Sequence, residues 1–170
     1  TSNIVAQEKQ NDATWEETIS FLKENITALN VNCAYKSKET STDKIYSGKM
    51  SYSYMINSSD KLVAKPGDHT YTVKLTELLK PEIFTNSEGQ IKHIRIHFNT
   101  DMVLMQYSSS SSSRKSIIDL NFYKSTYRED GYFKGGTLIF NKNSELPKRI
   151  YKAFQHLAYL AKVKRKKSKF

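Results

Sequence analysis

The sequence predicts a single α+β domain in which one helix, six to seven antiparallel strands and a second helix follow one another. Three observations lead to this prediction. Apolar residues recur at helical spacing near both ends of the chain, they alternate with polar residues in the middle, and no helical pattern separates the successive strands. Because strands joined by short turns pair antiparallel, we expect the sheet to roll into a barrel or sandwich with the C-terminal helix packed on it.

The first helix is predicted to begin at Thr14. Thr14 and Glu17 have the Thr-x-x-Glu spacing of a capping box, in which each residue satisfies a free backbone amide of the first turn. Behind the cap, apolar residues recur at steps of three and four, as on one buried stripe: Trp15, Ile19, Leu22, Ile26 and Leu29. The helix therefore has one face to bury.

Alternation of large and small side chains predicts the strands. The segment KIYSGKMSYSYMI reads as one long strand or as two strands joined at Gly48. Further strands are predicted at HTYTVKLTELL, HIRIHF, MVLMQY, SIIDLNFY and GTLIF. The six serines at 108–113 cannot fill a core, so they predict a flexible, solvated loop between two strands.

The second helix is predicted over Glu145 to Lys164, with Ser144 as its cap. Its core-facing stripe consists of Ile150, Ala153, Phe154, Leu157, Ala158 and Ala161. The expected organisation is a disordered or residual signal-peptide segment at 1–11, the domain at 12–163, and a basic tail at 164–170.

The basic charge is concentrated at one end of the chain. Of the 27 lysines and arginines, nine fall between positions 148 and 170, where there is no acidic residue; 18 basic and 17 acidic residues remain in positions 1–147. The tail is therefore a candidate contact with an anionic membrane or polyanion, through Lys162, Lys164, Arg165, Lys166, Lys167 and Lys169. Sequence-specific nucleic-acid binding is not expected, and no apolar run is long enough to span a membrane.

No local motif marks an enzyme active site, and the single cysteine cannot build a multi-thiolate zinc site. We expect neither a metal nor a cofactor. His93, Arg95 and His97 share one face of a predicted strand, where His93 and His97 would be ~13 Å apart and unable to chelate one ion. They predict either a basic rim for an anionic ligand or simply the outer face of a half-exposed sheet.

The N-terminal stretch TSNIVAQEKQND changes from apolar to polar residues after Ala6. Ile4 and Ala6 stand at the positions that a signal peptidase reads, so the stretch predicts an exported, periplasmic or extracellular protein. The alternative is an ordinary disordered N-terminus.

Two stretches, TWEETISFLKENI and RIYKAFQHLAYLAK, resemble paired terminal helices of small exported proteins of unknown function from Bacteroidetes bacteria. The closing match comprises Arg149, Ile150, Lys152, Ala153, Phe154, His156 and Leu157. The segment YTVKLTELLKPEI resembles a strand and turn of pleckstrin-homology-type rolls. The resemblance implies export and a sheet closed by a C-terminal helix, and it supplies no catalytic residue.

Three functional hypotheses follow. The first is a non-enzymatic binding or structural module. The second is peripheral attachment to an anionic membrane or polyanion through the basic tail. The third is an enzyme whose site has no local motif and is centred on the strand face with His93, Arg95 and His97.

Overall fold

The computed structural model describes residues 12–38, 41–42, 44–66, 69–100, 103–106, 109–112, 116–125, 128–129, 132–133 and 136–167. The predicted N-terminal segment 1–11 and residues 168–170 of the predicted tail lie outside the described residues.

Helix α1 (Trp15–Asn25) begins with the predicted capping box. The Thr14 hydroxyl accepts from the Glu17 amide at 3.2 Å, and the Glu17 carboxylate accepts from the Thr14 amide at 2.7 Å. These hydrogen bonds favour the charged carboxylate, so the pKa of Glu17 lies below its ordinary value. A 3-10 turn (Ile26–Leu29) continues the helix, and the whole predicted apolar stripe is buried.

Thirteen strands occur among the described residues, and most are short. In chain order they are β1 (Val31–Lys38), β2 (Ile45–Ile56), β3 (Lys61–Pro66), β4 (His69–Lys74), β5 (Glu82–Thr85), β6 (Ile91–His97), β7 (Val103–Gln106), β8 (Ser109–Ser112), β9 (Ile117–Asn121), β10 (Tyr123–Ser125), β11 (Arg128–Glu129), β12 (Tyr132–Phe133) and β13 (Gly136–Leu138). The KIYSGKMSYSYMI segment is one strand, β2, which runs through Gly48.

Every pairing between described strands is antiparallel, as predicted. The first ladder has the order β1-β2-β3-β4-β7-β8, and β5, β6 and β9 form a separate three-stranded sheet in the order β5-β6-β9. Within the described part of the chain the end strands β1 and β8 do not pair with each other, so the barrel alternative of the prediction is wrong. The chain leaves the first ladder after β4, where a 3-10 turn (Leu75–Glu77) leads to β5 and β6 of the second sheet, and it returns to the ladder at β7.

The prediction of a loop for the whole serine run was also wrong. Ser109–Ser112 forms β8, paired in register with β7 from Val103↔Ser112 to Gln106↔Ser109. A ladder is made by backbone amides and carbonyls, so serine can follow a strong partner strand although its side chain contributes little to a core.

Helix α2 (Leu146–Lys167) packs on α1, on the Leu75–Glu77 turn and on β6. The predicted cap residue, Ser144, lies one position before the N-cap position, which Glu145 occupies, and its hydroxyl accepts from the Leu146 amide at 3.4 Å. The helix ends three residues later than predicted, so residues 164–167 of the predicted tail are its last turn. Its buried side chains join those of α1 and both sheets in one core cluster.

Candidate functional site

Strand β6 places His93, Arg95 and His97 on one face, as the alternation predicted. Ile94 and Ile96 between them are fully buried, so the three basic side chains point to the opposite, half-exposed side. The same face carries Glu82 and Phe84 from β5 and Asp119 from β9, because these residues pair directly with the basic ones.

Arg95 contacts both neighbouring strands, through Asp119 on β9 and Phe84 on β5. Its Nε and Nη2 donate to the two carboxylate oxygens of Asp119 at 2.9 and 3.1 Å, and its guanidinium carbon lies 5.0 Å from the centre of the Phe84 ring. The hydrogen bond to Asp119 raises the pKa of Arg95 above its ordinary value. This bidentate pair offsets the charge of the guanidinium and uses two of its N–H donors, while the side chain remains 36% exposed.

His97 and His93 are each engaged as well. His97 Nε2 lies 3.3 Å from a carboxylate oxygen of Glu82. The His93 ring stacks on Phe84, with centroids 4.3 Å apart and an angle of 13° between the planes. Among the described residues, no group of three or more His, Cys, Asp or Glu side chains is placed to share a metal ion. The face thus brings the three predicted residues together, but carboxylates compensate two of them.

The surroundings of His93 disfavour its protonated form. Its Nε2 is buried and has no hydrogen-bond partner. Burial lowers the pKa of His93 below 6.5; nearby Arg95 and Lys92 lower it further, and Asp119 partly opposes them. Protonating this ring in the folded protein would add a buried charge beside two cations.

We expect a pH-dependent stability from His93. Because its pKa is lower in the folded than in the unfolded state, the unfolded state binds more protons, and the free energy of unfolding falls as pH drops below about 6.5. His93→Phe keeps a ring stacked on Phe84 but cannot be protonated. Thermal melts from pH 7.5 to 5 should therefore show a smaller acid-side loss in His93→Phe than in the parent protein.

His69→Phe is the matched control, since His69 also stacks on an aromatic ring, that of Tyr71. The control retains His93 and should retain its contribution to the acid-side loss. An identical pH profile for His93→Phe and the parent would contradict the assignment.

Tyr54 makes hydrogen bonds to β9, the edge strand of the three-stranded sheet that lies opposite β5. Its hydroxyl donates to the Asp119 carbonyl at 3.1 Å and accepts from the Asn121 backbone and side-chain amides, both at 3.4 Å. Burial is the main reason why the pKa of Tyr54 is raised. Beside this contact lies an open cleft of about 220 Å³, lined by Tyr52, Tyr54, Ala64, Pro66, Tyr71, Ile117, Ile118, Asp119 and Asn121. Its charged group, Asp119, is already bound by Arg95, which leaves mainly ring surfaces for a ligand.

The predicted basic tail divides into anchored and exposed residues. The Arg165 guanidinium donates from Nη1 to the carbonyls of Thr76 and Leu78, the latter at 3.0 Å. The Lys164 ammonium lies 4.8 Å from the centre of the Trp15 ring. Lys164 is exposed, as are Lys162, Lys166 and Lys167, and Lys169 lies outside the described residues. Sequence reasoning missed the anchoring role of Arg165, because its carbonyl partners are far away in the chain and leave no local signal.

Three of the exposed cations of α2 lie along one side of the helix. Lys152, Lys162 and Lys166 fall within an arc of ~80° at 100° per residue, and we call these three residues the basic stripe. The exposed residues Arg149, Lys164 and Lys167 fall outside that arc, and Lys148 falls inside it but pairs with Glu145 at 3.3 Å. Tyr159 lies within the same arc and is 49% exposed. The helix carries no acidic residue over its whole length, so no neighbouring carboxylate on α2 neutralises the stripe.

None of the described helices is long and apolar enough to cross a bilayer. The chain matches no protein-family model, no curated protein and no solved structure.

Proposed function

We propose that the protein is a non-enzymatic binding module that attaches to an anionic surface through the basic stripe of α2. The observation that carries this proposal is that the exposed residues Lys152, Lys162 and Lys166 share one arc of a helix without acidic residues. The buried side of α2 packs on α1 and the sheets, so the backbone that carries the stripe has a fixed position. Fixed charges lose less conformational entropy on binding than charges on a flexible tail.

The stripe supplies part of the free energy of a reversible attachment. Each basic residue near an anionic surface contributes about 1 kcal/mol at physiological ionic strength, so the stripe supplies about 3 kcal/mol. Lys167 and the segment after it add to this charge. Because the Debye length shortens from ~10 Å at 0.1 M salt to ~3 Å at 1 M, attachment should weaken steeply as salt is added.

The experiment compares two triple variants with the same loss of charge. In the stripe variant Lys152, Lys162 and Lys166 are replaced by glutamine; in the control variant Lys44, Lys65 and Lys142, which are exposed elsewhere, are replaced likewise. The salt concentration that elutes each protein from immobilised heparin is measured. We expect the stripe variant to elute at clearly lower salt, with affinity reduced at least tenfold, about half of the ~3 kcal/mol above.

Equal weakening of both variants would mean that net charge alone drives binding, and would overturn the assignment to α2. Failure of the parent protein to bind heparin at low salt would overturn the proposal itself.

The face with His93, Arg95 and His97 supports the enzyme hypothesis less strongly than α2 supports attachment to an anionic surface. Asp119 and Glu82 already engage Arg95 and His97, and the stacked His93 ring holds its Nε2 buried. A catalytic role would require these groups to exchange their present partners for a substrate.

Two further parts of the proposal concern the fold family and the compartment. A C-terminal helix packed on antiparallel strands supports a roll of the pleckstrin-homology type, and the change of composition after Ala6 supports export. Fractionation of the producing cells tests export, since recovery from the cytosol alone would contradict it.

A further inference from the structure

The cleft beside Tyr54 has an apolar floor between aromatic side chains. Tyr54, Ala64 and Tyr71 lie side by side on β2, β3 and β4, because Tyr54 pairs with Ala64 and Ala64 pairs with Tyr71. The methyl group of Ala64 is much shorter than the two phenol rings, so this row of side chains is lowest at its centre. Tyr52 pairs with Pro66 two positions along the same face, and both also line the cleft. The cleft therefore offers ring surfaces on both sides of a hollow.

The opposite wall of the cleft is one edge of β9. The Phe122 amide, directly after β9, donates to the Lys92 carbonyl at 2.8 Å, so even-numbered residues of this segment direct their backbone groups toward β6. The odd-numbered residues Ile117, Asp119 and Asn121 direct theirs away from β6, on the side where Tyr54 and the cleft lie. Among the described strands, β9 has no partner on this side. The cleft is thus bordered by backbone donors and acceptors as well as by rings.

The Tyr54 hydroxyl shows which chemical group this edge accepts. It donates to the Asp119 carbonyl and accepts from the Asn121 amide, so one oxygen atom joins a carbonyl to the amide two residues later. The preceding pair of the same kind is the Ile117 carbonyl and the Asp119 amide. Within the described part of the chain, neither of these two groups has a hydrogen-bond partner. Because a hydroxyl is both donor and acceptor, a second hydroxyl would satisfy this pair as Tyr54 satisfies the next one.

The size and charge of the cleft favour a neutral ligand of about one ring. Its volume of about 220 Å³ lies below the range of about 300 to 1,000 Å³ that is typical for drug-sized ligands. Asp119 is the charged member of the described lining, and its carboxylate is paired with Arg95. An added peptide strand would have to displace the Tyr54 hydroxyl in order to continue along β9. A small ring that carries its own hydroxyl groups meets no such obstacle.

A sugar ring combines the two properties that the cleft requires. Hydroxyl groups surround a pyranose ring, and the C–H groups on its faces carry partial positive charge, which the negative face of a tyrosine ring attracts. We propose that the cleft binds one ring of a neutral saccharide, with a sugar hydroxyl between the Ile117 carbonyl and the Asp119 amide and a sugar face on the rings of the floor. This inference is independent of the charge on α2 and therefore of the function proposed above.

The test follows the Asp119 amide during binding. The parent protein is titrated with maltohexaose, cellohexaose, xylohexaose and mannohexaose, which are neutral, and its amide resonances are recorded by two-dimensional proton–nitrogen NMR. We expect at least one hexasaccharide to bind with a Kd of about 1 mM or lower. It should move the Asp119 resonance, because this amide gains a hydrogen bond, and should leave the resonances of the basic stripe in place.

Tyr71→Ala removes one ring from the floor of the cleft, and Tyr151→Ala is the matched control, because both tyrosines are partly buried and pack against the core. We expect Tyr71→Ala to bind the hexasaccharide at least tenfold more weakly than the parent, and Tyr151→Ala to bind it like the parent. The stripe variant should also bind it like the parent, since the ligand carries no charge. The dispersion of the amide resonances shows whether each variant is folded.

Two results would overturn the inference. One is the absence of any shift of the Asp119 resonance with all four hexasaccharides; the other is a folded Tyr71→Ala variant with the affinity of the parent. If Tyr71→Ala does not fold, the titration of the parent alone is the test. Neither result involves heparin, so the proposed attachment through α2 stands or falls separately with the stripe variant.

Discussion

Phe154→Ala should lower the free energy of unfolding by about 3 to 5 kcal/mol, as is typical for removal of a buried phenylalanine ring. Phe154 lies on the buried side of α2, is fully buried and belongs to the single core cluster shared by both helices and both sheets. The loss has two parts: the transfer free energy of the ring, and the contacts that its neighbours lose around the cavity. Urea unfolding followed by circular dichroism measures it.

Tyr159→Ala on the same helix is the control. Tyr159 is half-exposed and outside the core cluster, so its replacement should change the free energy of unfolding by no more than about 1 kcal/mol. A loss below about 1 kcal/mol for Phe154→Ala would show that the ring is not in the core, and the packing of α2 would have to be revised.

Arg165→Met should destabilise the domain by about 1.5 to 3 kcal/mol, although Arg165 lies in a run of four basic residues near the end of the chain. Its guanidinium donates to the carbonyls of Thr76 and Leu78, which the 3-10 turn leaves available. Methionine keeps an apolar stem of similar reach but leaves both carbonyls without this charged donor. Urea unfolding again provides the measurement.

Lys166→Met removes the same charge from the next, exposed position and should cost within about 0.5 kcal/mol. Arg165→Lys should recover only part of the loss, because an ammonium lacks the planar fork of donors that spans two acceptors. If Arg165→Met and Lys166→Met unfold at the same urea concentration, Arg165 does not anchor the helix.

The sequence could predict the elements that depend on local spacing. The capping box at Thr14 and Glu17, the apolar stripes of both helices and the alternation that turns Arg95 outward are periodic or short-range patterns. Each is decided within one element, so side-chain polarity is sufficient to reveal it.

Features that depend on pairing between distant segments could not be predicted. Whether β5, β6 and β9 leave the first ladder depends on the path of the backbone after Leu75, and Ser109–Ser112 becomes a strand only because β7 lies beside it. The compensation of Arg95 by Asp119 requires the register of β6 on β9, and the Arg165 contacts join residues 87 and 89 positions apart. For the candidate site, sequence reasoning therefore identified the basic residues and missed the carboxylates and backbone carbonyls that bind them.

The contacts between the two helices determine when the chain can finish folding. The His156 ring meets the Ala13 carbonyl at 2.7 Å across 143 positions, and the Lys164 ammonium covers Trp15. During synthesis β2 can cover part of the apolar stripe of α1 early, whereas the part that α2 covers stays exposed to water until α2 has been made. Contacts between such distant segments slow folding, so α1 carries uncovered apolar surface for most of the synthesis of this domain.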